Sequence, residues 1–204
     1  MKNTIIENRI SEIVALEPCY GPRGGNAVRI FTREGGSFEV EMRMSSLLKN
    51  ICACLNADLA IMRKNYGDYL GCRQYIPLPL APNFVLIPIK MRRPGCENDG
   101  ATGYISLFDM VRIVEPGSGE GYEEARCLIH LAGGHVLPSL FSHQNTQKRV
   151  ANARVALDRF LALQNRAGSN SALLRGLEEM LKEEGLEGLL KKIIMLALKP
   201  EPGN

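Results

Sequence analysis

Short alternating runs of apolar and polar residues dominate the first 140 positions, and helical periodicity dominates the remainder. Residues 10–16 alternate loosely and predict a strand, ended by Pro18. Residues 27–32 and 37–42 are two period-2 runs on either side of Arg33-Glu34-Gly35-Gly36, which predicts a hairpin whose glycines supply positive φ. Val28 and Ile30 then face one way, Arg29 and Phe31 the other. Ser45 predicts the N-cap of a helix over 46–57, in which Leu47, Leu48, Ile51, Cys52 and Leu55 form one apolar stripe. Residues 84–89 are a nearly continuous apolar run and predict a buried strand; 103–114 predict a long strand bent near Asp109. Residues 126–131 and 135–140 flank Ala132-Gly133-Gly134 as a second hairpin. Ser142 predicts the cap of a helix reaching about residue 164, with Val150, Ala153, Leu157, Phe160 and Leu161 on one face and Lys148, Asn152, Arg159 and Arg166 on the opposite one. After a break at 167–170, residues 171–184 and 186–198 predict two short helices divided at Gly185 and ended by Pro200.

The pattern predicts an α+β fold. Two hairpins and central strands make a β-rich core flanked by helices over residues 1–166, and 167–204 form a helical C-terminal appendage. At 204 residues, 45% hydrophobic and 23% charged, the chain resembles an ordinary globular protein with a sizeable core. No run approaches the roughly 18 apolar residues of a membrane span, and the start has no apolar core of the kind a secretory signal needs. A cytoplasmic protein without membrane contact is expected, with its six cysteines as reduced thiols.

The net charge of +3 names no partner, but its distribution does more. Residues 51–95 carry six cations against two acids, 96–141 two cations against seven acids, and 142–166 five cations against one acid. The stretch 62–93 places Arg63, Lys64 and Arg73 beside tyrosines and glycines, follows with the proline-punctuated Ile76-Pro77-Leu78-Pro79-Leu80-Ala81-Pro82-Asn83, and ends in Lys90, Arg92 and Arg93. This is expected to be a surface loop system held by a rigid sheet. Guanidinium and ammonium groups neutralise phosphates and release condensed counterions, and Arg enters narrow A·T-rich minor grooves. Gly67, Gly71 and Gly95 permit close backbone approach. Lys148, Arg149 and Arg154, on the predicted helix, form a second candidate phosphate contact. The plainer reading of both groups is a solvated surface with scattered cations.

Other chemistry is thinly represented. His130, His135 and His143 cluster around one hairpin but lack carboxylates at ligand spacing. Cys52 and Cys54 have no second pair and read as apolar packing rather than a zinc site. Gly-Pro-Arg-Gly-Gly at 21–25 is a turn, and no nucleophile elbow, phosphate loop or dinucleotide fingerprint is present. No enzyme, metal or cofactor is expected. Two other classes stay open: a β-rich protein-interaction module that binds no DNA, and a thiol enzyme built on Cys72 or Cys96.

The order of these pieces resembles the competence transcription factor (ComK) family of Gram-positive bacteria. The matching pieces are Ile13-Val14-Ala15-Leu16-Glu17-Pro18, the helix segment 48–54, and Tyr66-Gly-x-Tyr-x-Gly-x-Arg73. Then come Pro88-Ile89-Lys90, Cys96, and Tyr104-Ile-Ser-Leu-Phe-Asp-Met-Val-Arg112. Gly133-Gly134 with Ser139, and Gln147-Lys148-Arg149 before a helix, complete the series. The likeness spans roughly residues 10–162. The chain departs from the family at Gly71-Cys72-Arg73, at Ile89 and Met91-Arg92-Arg93-Pro94, and in having no tryptophan. The resemblance implies an activator that recognises A·T-rich double-stranded DNA as a homo-oligomer, controls DNA-uptake genes, works with RNA polymerase, and is turned over through a protease adaptor. The C-terminal apolar stripe (Leu173, Leu174, Leu177, Leu181, Leu186, Leu189, Leu190, Ile193, Ile194) is expected either to serve self-association or adaptor docking or to pack on the domain as plain core.

Overall fold

A computed structural model of the chain describes residues 9–95, 99–116 and 124–166. It divides into two units, Met1–Phe160 and Leu161–Asn204; of the second, only the helical residues 161–166 are described. The predicted C-terminal helices therefore lie outside the described residues, as do Cys96 and the glycine-rich 117–123.

The first unit is a β-rich α+β structure. Six antiparallel strands form one sheet in the order β3-β2-β1-β6-β5-β4. They are β1 (Ile13–Tyr20), β2 (Asn26–Thr32), β3 (Ser37–Val40), β4 (Leu78–Ala81), β5 (Phe84–Lys90) and β6 (Thr102–Ser106). A second sheet has the order β7-β8-β9, with β7 (Met110–Val114), β8 (Cys127–Leu131) and β9 (Val136–Ser139). The helices are α1 (Met44–Cys54), α2 (Leu59–Leu70) and α3, residues 143–166. Both predicted hairpins form, β2–β3 and β8–β9, and Ser142 caps α3 by accepting a hydrogen bond from Asn145 N at 3.3 Å.

The large sheet is buried on both faces. On one, Leu16, Val28, Ile30, Leu86 and Tyr104 pack with Leu47, Leu48 and Ile51 of α1 and Leu59 of α2. On the other, Val14, Val85, Ile87, Ile89 and Ile105 pack with Ile129 and Leu131 of β8, Leu137 of β9, and Val150 and Ala153 of α3. Burial on both sides is why β5 reads as a continuous apolar run rather than an alternation.

Four sequence expectations are corrected. First, residues 10–12 form a 3₁₀ turn, and β1 continues through Pro18 to Tyr20. Pro18 is tolerated because β1 pairs with β6 only at Ala15 and Leu16, so nothing on that side needs its missing N–H. Pro88 sits similarly, past the end of β4, whose pairing stops at Leu78 opposite Leu86. Second, the predicted long strand is broken at 107–109 and its halves join different sheets. Asp109 at the break is buried and takes two hydrogen bonds from Arg33 at 2.7 and 3.1 Å, which ties the first hairpin to the start of β7. Third, Arg43 rather than Ser45 is the N-cap of α1, with no side-chain capping bond. Fourth, the first third of the predicted loop system is helix α2. Asp58 caps it by accepting from Ile61 N at 2.8 Å, and Gly71 ends it in the left-handed region at φ 62°.

Candidate nucleic-acid interface

The candidate interface is organised around two local features, the end of α2 and the point where the large sheet splays. Gly67, inside α2, lets the following turn fold back: a Cβ there would stand 2.9 Å from Cys72 O and from Ile76 Cδ1. This returns the chain from Gly71 through Arg73 to β4. Tyr75 in that turn has φ 55°, a left-handed conformation that costs an aromatic residue on the order of 1–3 kcal/mol. It is held by packing: Phe141 meets its ring edge-on at 4.8 Å, and the Arg149 guanidinium of α3 lies 4.9 Å from its centroid. Buried Cys127, Ser139 and Thr146 hydrogen-bond among themselves and fix the first turn of α3 against β8 and β9, which sets where Arg149 emerges.

The second feature is the gap between β1 and β6. Gly103 admits the closest approach of β1, since a Cβ there would meet Leu16 O at 2.6 Å. Beyond that point the strands separate, and Arg92 fills the opening. Its Nε donates to Gly100 O at 2.8 Å, its Nη2 donates to Asn26 Oδ1 at 3.2 Å, and its guanidinium stacks on the Tyr20 ring 4.2 Å from the centroid.

Two adjoining clefts result on the helix side of the sheet. One, of about 310 Å³, is lined by Arg43, Arg63 and Arg92 together with Pro18, Thr102 and Tyr104. The other, of about 340 Å³, is lined by Arg63, Arg73, Gln74, Tyr75, Thr102 and Tyr104. Arg63 stands at the junction and donates to the Tyr104 hydroxyl at 3.1 Å. Burial pushes the Tyr104 phenol above its ordinary range, partly opposed by the Arg63 charge. Burial also pushes the thiol of Cys52, on the buried face of α1, up to about 11, again opposed by Arg63.

The nine predicted cations are distributed unevenly. Arg63, Arg73 and Arg92 line the two clefts, and Arg149 joins them through Tyr75. Lys90 pairs with Thr102 across β5 and β6, so it shares the strand face that borders both clefts. Lys64 and Lys148 are exposed. Arg93 lines a third cleft, with Pro138, Leu140 and again Arg92, where its Nε is 3.5 Å from a Glu124 carboxylate oxygen. Arg154 points to another side of α3, toward Met110, Ile113 and His143. Arg43 escaped the sequence reading because nothing in the sequence brings the start of α1 to the sheet gap. The glycines serve the protein's own packing: Gly67 and Gly71 shape the end of α2, and a Cβ on Gly95 would meet the Tyr20 hydroxyl at 3.0 Å.

The histidines do not assemble. His135 Nε2 is 2.8 Å from Thr32 O, while His130 sits on β8 opposite Val136. Among the described residues no group of His, Cys, Asp and Glu could hold a metal ion, and no helix is long and apolar enough to cross a membrane. Searches against family models, curated proteins and solved structures find no match to this chain.

Proposed function

We propose that this protein binds duplex DNA and regulates transcription, as a divergent relative of the competence transcription factors. Arg63, Arg73, Arg92 and Lys90 meet the phosphate backbone and the minor groove of A·T-rich sequence, and Arg149 with Lys148 extends the contact. The observation that carries this reading is convergence: cations from α2, from the turn after it and from the end of β5 border one row of clefts, and a fourth from α3 stacks against the same row. Such a surface suits a polyanion. Recognition by paired molecules, contact with RNA polymerase and turnover through a protease adaptor belong to the same proposal, as does action in the cytoplasm.

A fluorescence titration of A·T-rich and G·C-rich duplexes tests it. Tighter binding of the A·T-rich duplex, with affinity falling roughly 10³-fold between 50 and 200 mM salt if about six phosphates are met, supports the reading. Absence of duplex binding at low salt contradicts it. The protein-docking alternative is favoured by Ile61 and Tyr69, which stand exposed at the two ends of α2; it expects little salt dependence.

A further inference from the structure

The cleft at the splay of β1 and β6 has a chemistry more specific than a basic surface. Its charged walls are Arg43, Arg63 and Arg92, and no carboxylate is among the described residues that line it, although the Asp99 carboxylate accepts from the Tyr20 and Asn26 side chains behind Arg92. Arg43 precedes α1, an eleven-residue helix without a side-chain cap. The first-turn N–H groups of Ser46 and Leu47 both bond to Arg43 O, whereas those of Met44 and Ser45, residues that line the cleft, have no backbone partner among the described residues. This end of the helix carries the positive pole of its dipole. Independently of the helix, Arg92 is clamped by Gly100, Asn26 and Tyr20, and its Nη1 is buried with no hydrogen-bond partner among the described residues. A buried donor left in that state is unfavourable, and a charged acceptor that reaches it recovers the loss.

We propose that this cleft seats a single phosphate group, held by Arg43, Arg63, Arg92 and the open first turn of α1. The site adds Arg43 and the helix terminus to the molecule's chemistry, and it stands whether or not the chain binds DNA. A DNA backbone and a free phosphorylated small molecule offer the same group; the second would make the cleft a regulatory site.

Calorimetric titration of the full chain with inorganic pyrophosphate, at fixed ionic strength in chloride, tests the seat. Three variants accompany the wild type: Arg43→Glu, Arg63→Gln, and Lys49→Glu as a charge-matched control on an exposed position of α1 outside the cleft. Saturable binding is expected for wild type and for Lys49→Glu, weakened tenfold or more in Arg43→Glu and Arg63→Gln. Duplex titrations with and without saturating pyrophosphate then name the occupant. Competition assigns the seat to the DNA backbone, and unchanged duplex binding assigns it to a free anion. Pyrophosphate binding without any duplex binding would sink the DNA reading and leave the seat standing. No saturable pyrophosphate binding by the wild type, or an equal loss in Lys49→Glu and Arg43→Glu, overturns the proposal.

Discussion

The two sides of the gap between β1 and β6 treat neighbouring arginines differently. On the side facing α1, Arg92 joins Arg43 and Arg63 around a cleft without a carboxylate among its described lining residues. On the side facing β9, Arg93 meets Glu124 at 3.5 Å, with the two side chains 75% and 58% exposed. An ion pair that exposed contributes about 0–1 kcal/mol, so it offsets Arg93's charge without anchoring it. Arg92 also lines the cleft of Arg93 and Glu124, so the two consecutive residues differ in one respect: only Arg92 also reaches the cleft whose described lining holds no carboxylate. The splay of the sheet, not the density of cations in the sequence, decides which positive charge is left for a ligand.

The largest effect that sharpens this contrast is on stability. In Gly103→Val the new side chain collides with Leu16 O and the Met91 sulfur, and backbone cannot yield as a flexible side chain does. A loss of about 3 kcal/mol is expected by urea unfolding; a loss below about 1 kcal/mol would mean that close approach at Gly103 does not set the splay. Next comes charge reversal. Arg63→Glu with Arg73→Glu is expected to weaken duplex binding on the order of 100-fold, and Arg93→Glu less than about threefold, in the same titration. Equal losses would erase the distinction between the two sides. A smaller change is expected from Arg149→Met, which removes the guanidinium from Tyr75 and Phe141 and is expected to cost about 1 kcal/mol in thermal unfolding.

The smallest effect concerns Cys52, the thiol pushed up to about 11 by burial. The unfolded chain ionises its thiols near their ordinary pKa while the folded chain keeps Cys52 protonated. Its contribution to stability therefore declines as pH rises from about 9 toward 11. Mass-spectrometric alkylation at pH 8 is expected to label Cys52 later than the half-buried Cys72. Early labelling of Cys52 would show that the α1 side of the core opens readily.

Much of the fold was legible because its signals are local. The hairpin glycines, the apolar run of β5 and Ser142 before α3 each carry their structure within a few residues. Helix α2 was obscured by its own residues. Gly67 sits in the helix interior, where glycine costs about 1 kcal/mol relative to alanine, and Arg63, Lys64, Asn65 and Asp68 mask the sparse stripe of Leu59, Met62 and Tyr66. Asp58 was the available start signal. A bend near Asp109 was legible, but not that the two halves join different sheets, where Asp109 meets Arg33, 76 positions away. The candidate site divides the same way. The sequence singled out nine cations without separating them; that Arg63 borders one cleft with Arg92 and the next with Arg73 is a long-range outcome without local trace. Arg43 lines one of these clefts because α1 starts beside the sheet gap, whereas Arg93 lines the cleft of Glu124 and Arg154 projects from another side of α3.

The most direct test of the central claim is the slope of log affinity for an A·T-rich duplex against log salt, wild type beside Arg63→Ala/Arg73→Ala. Each phosphate contact contributes about 0.9 to the slope, so the double variant is expected to bind more weakly with a slope shallower by about 1.8. A wild-type slope near zero, or a slope unchanged in the double variant, would contradict the assignment of these cleft-lining cations to a nucleic-acid backbone.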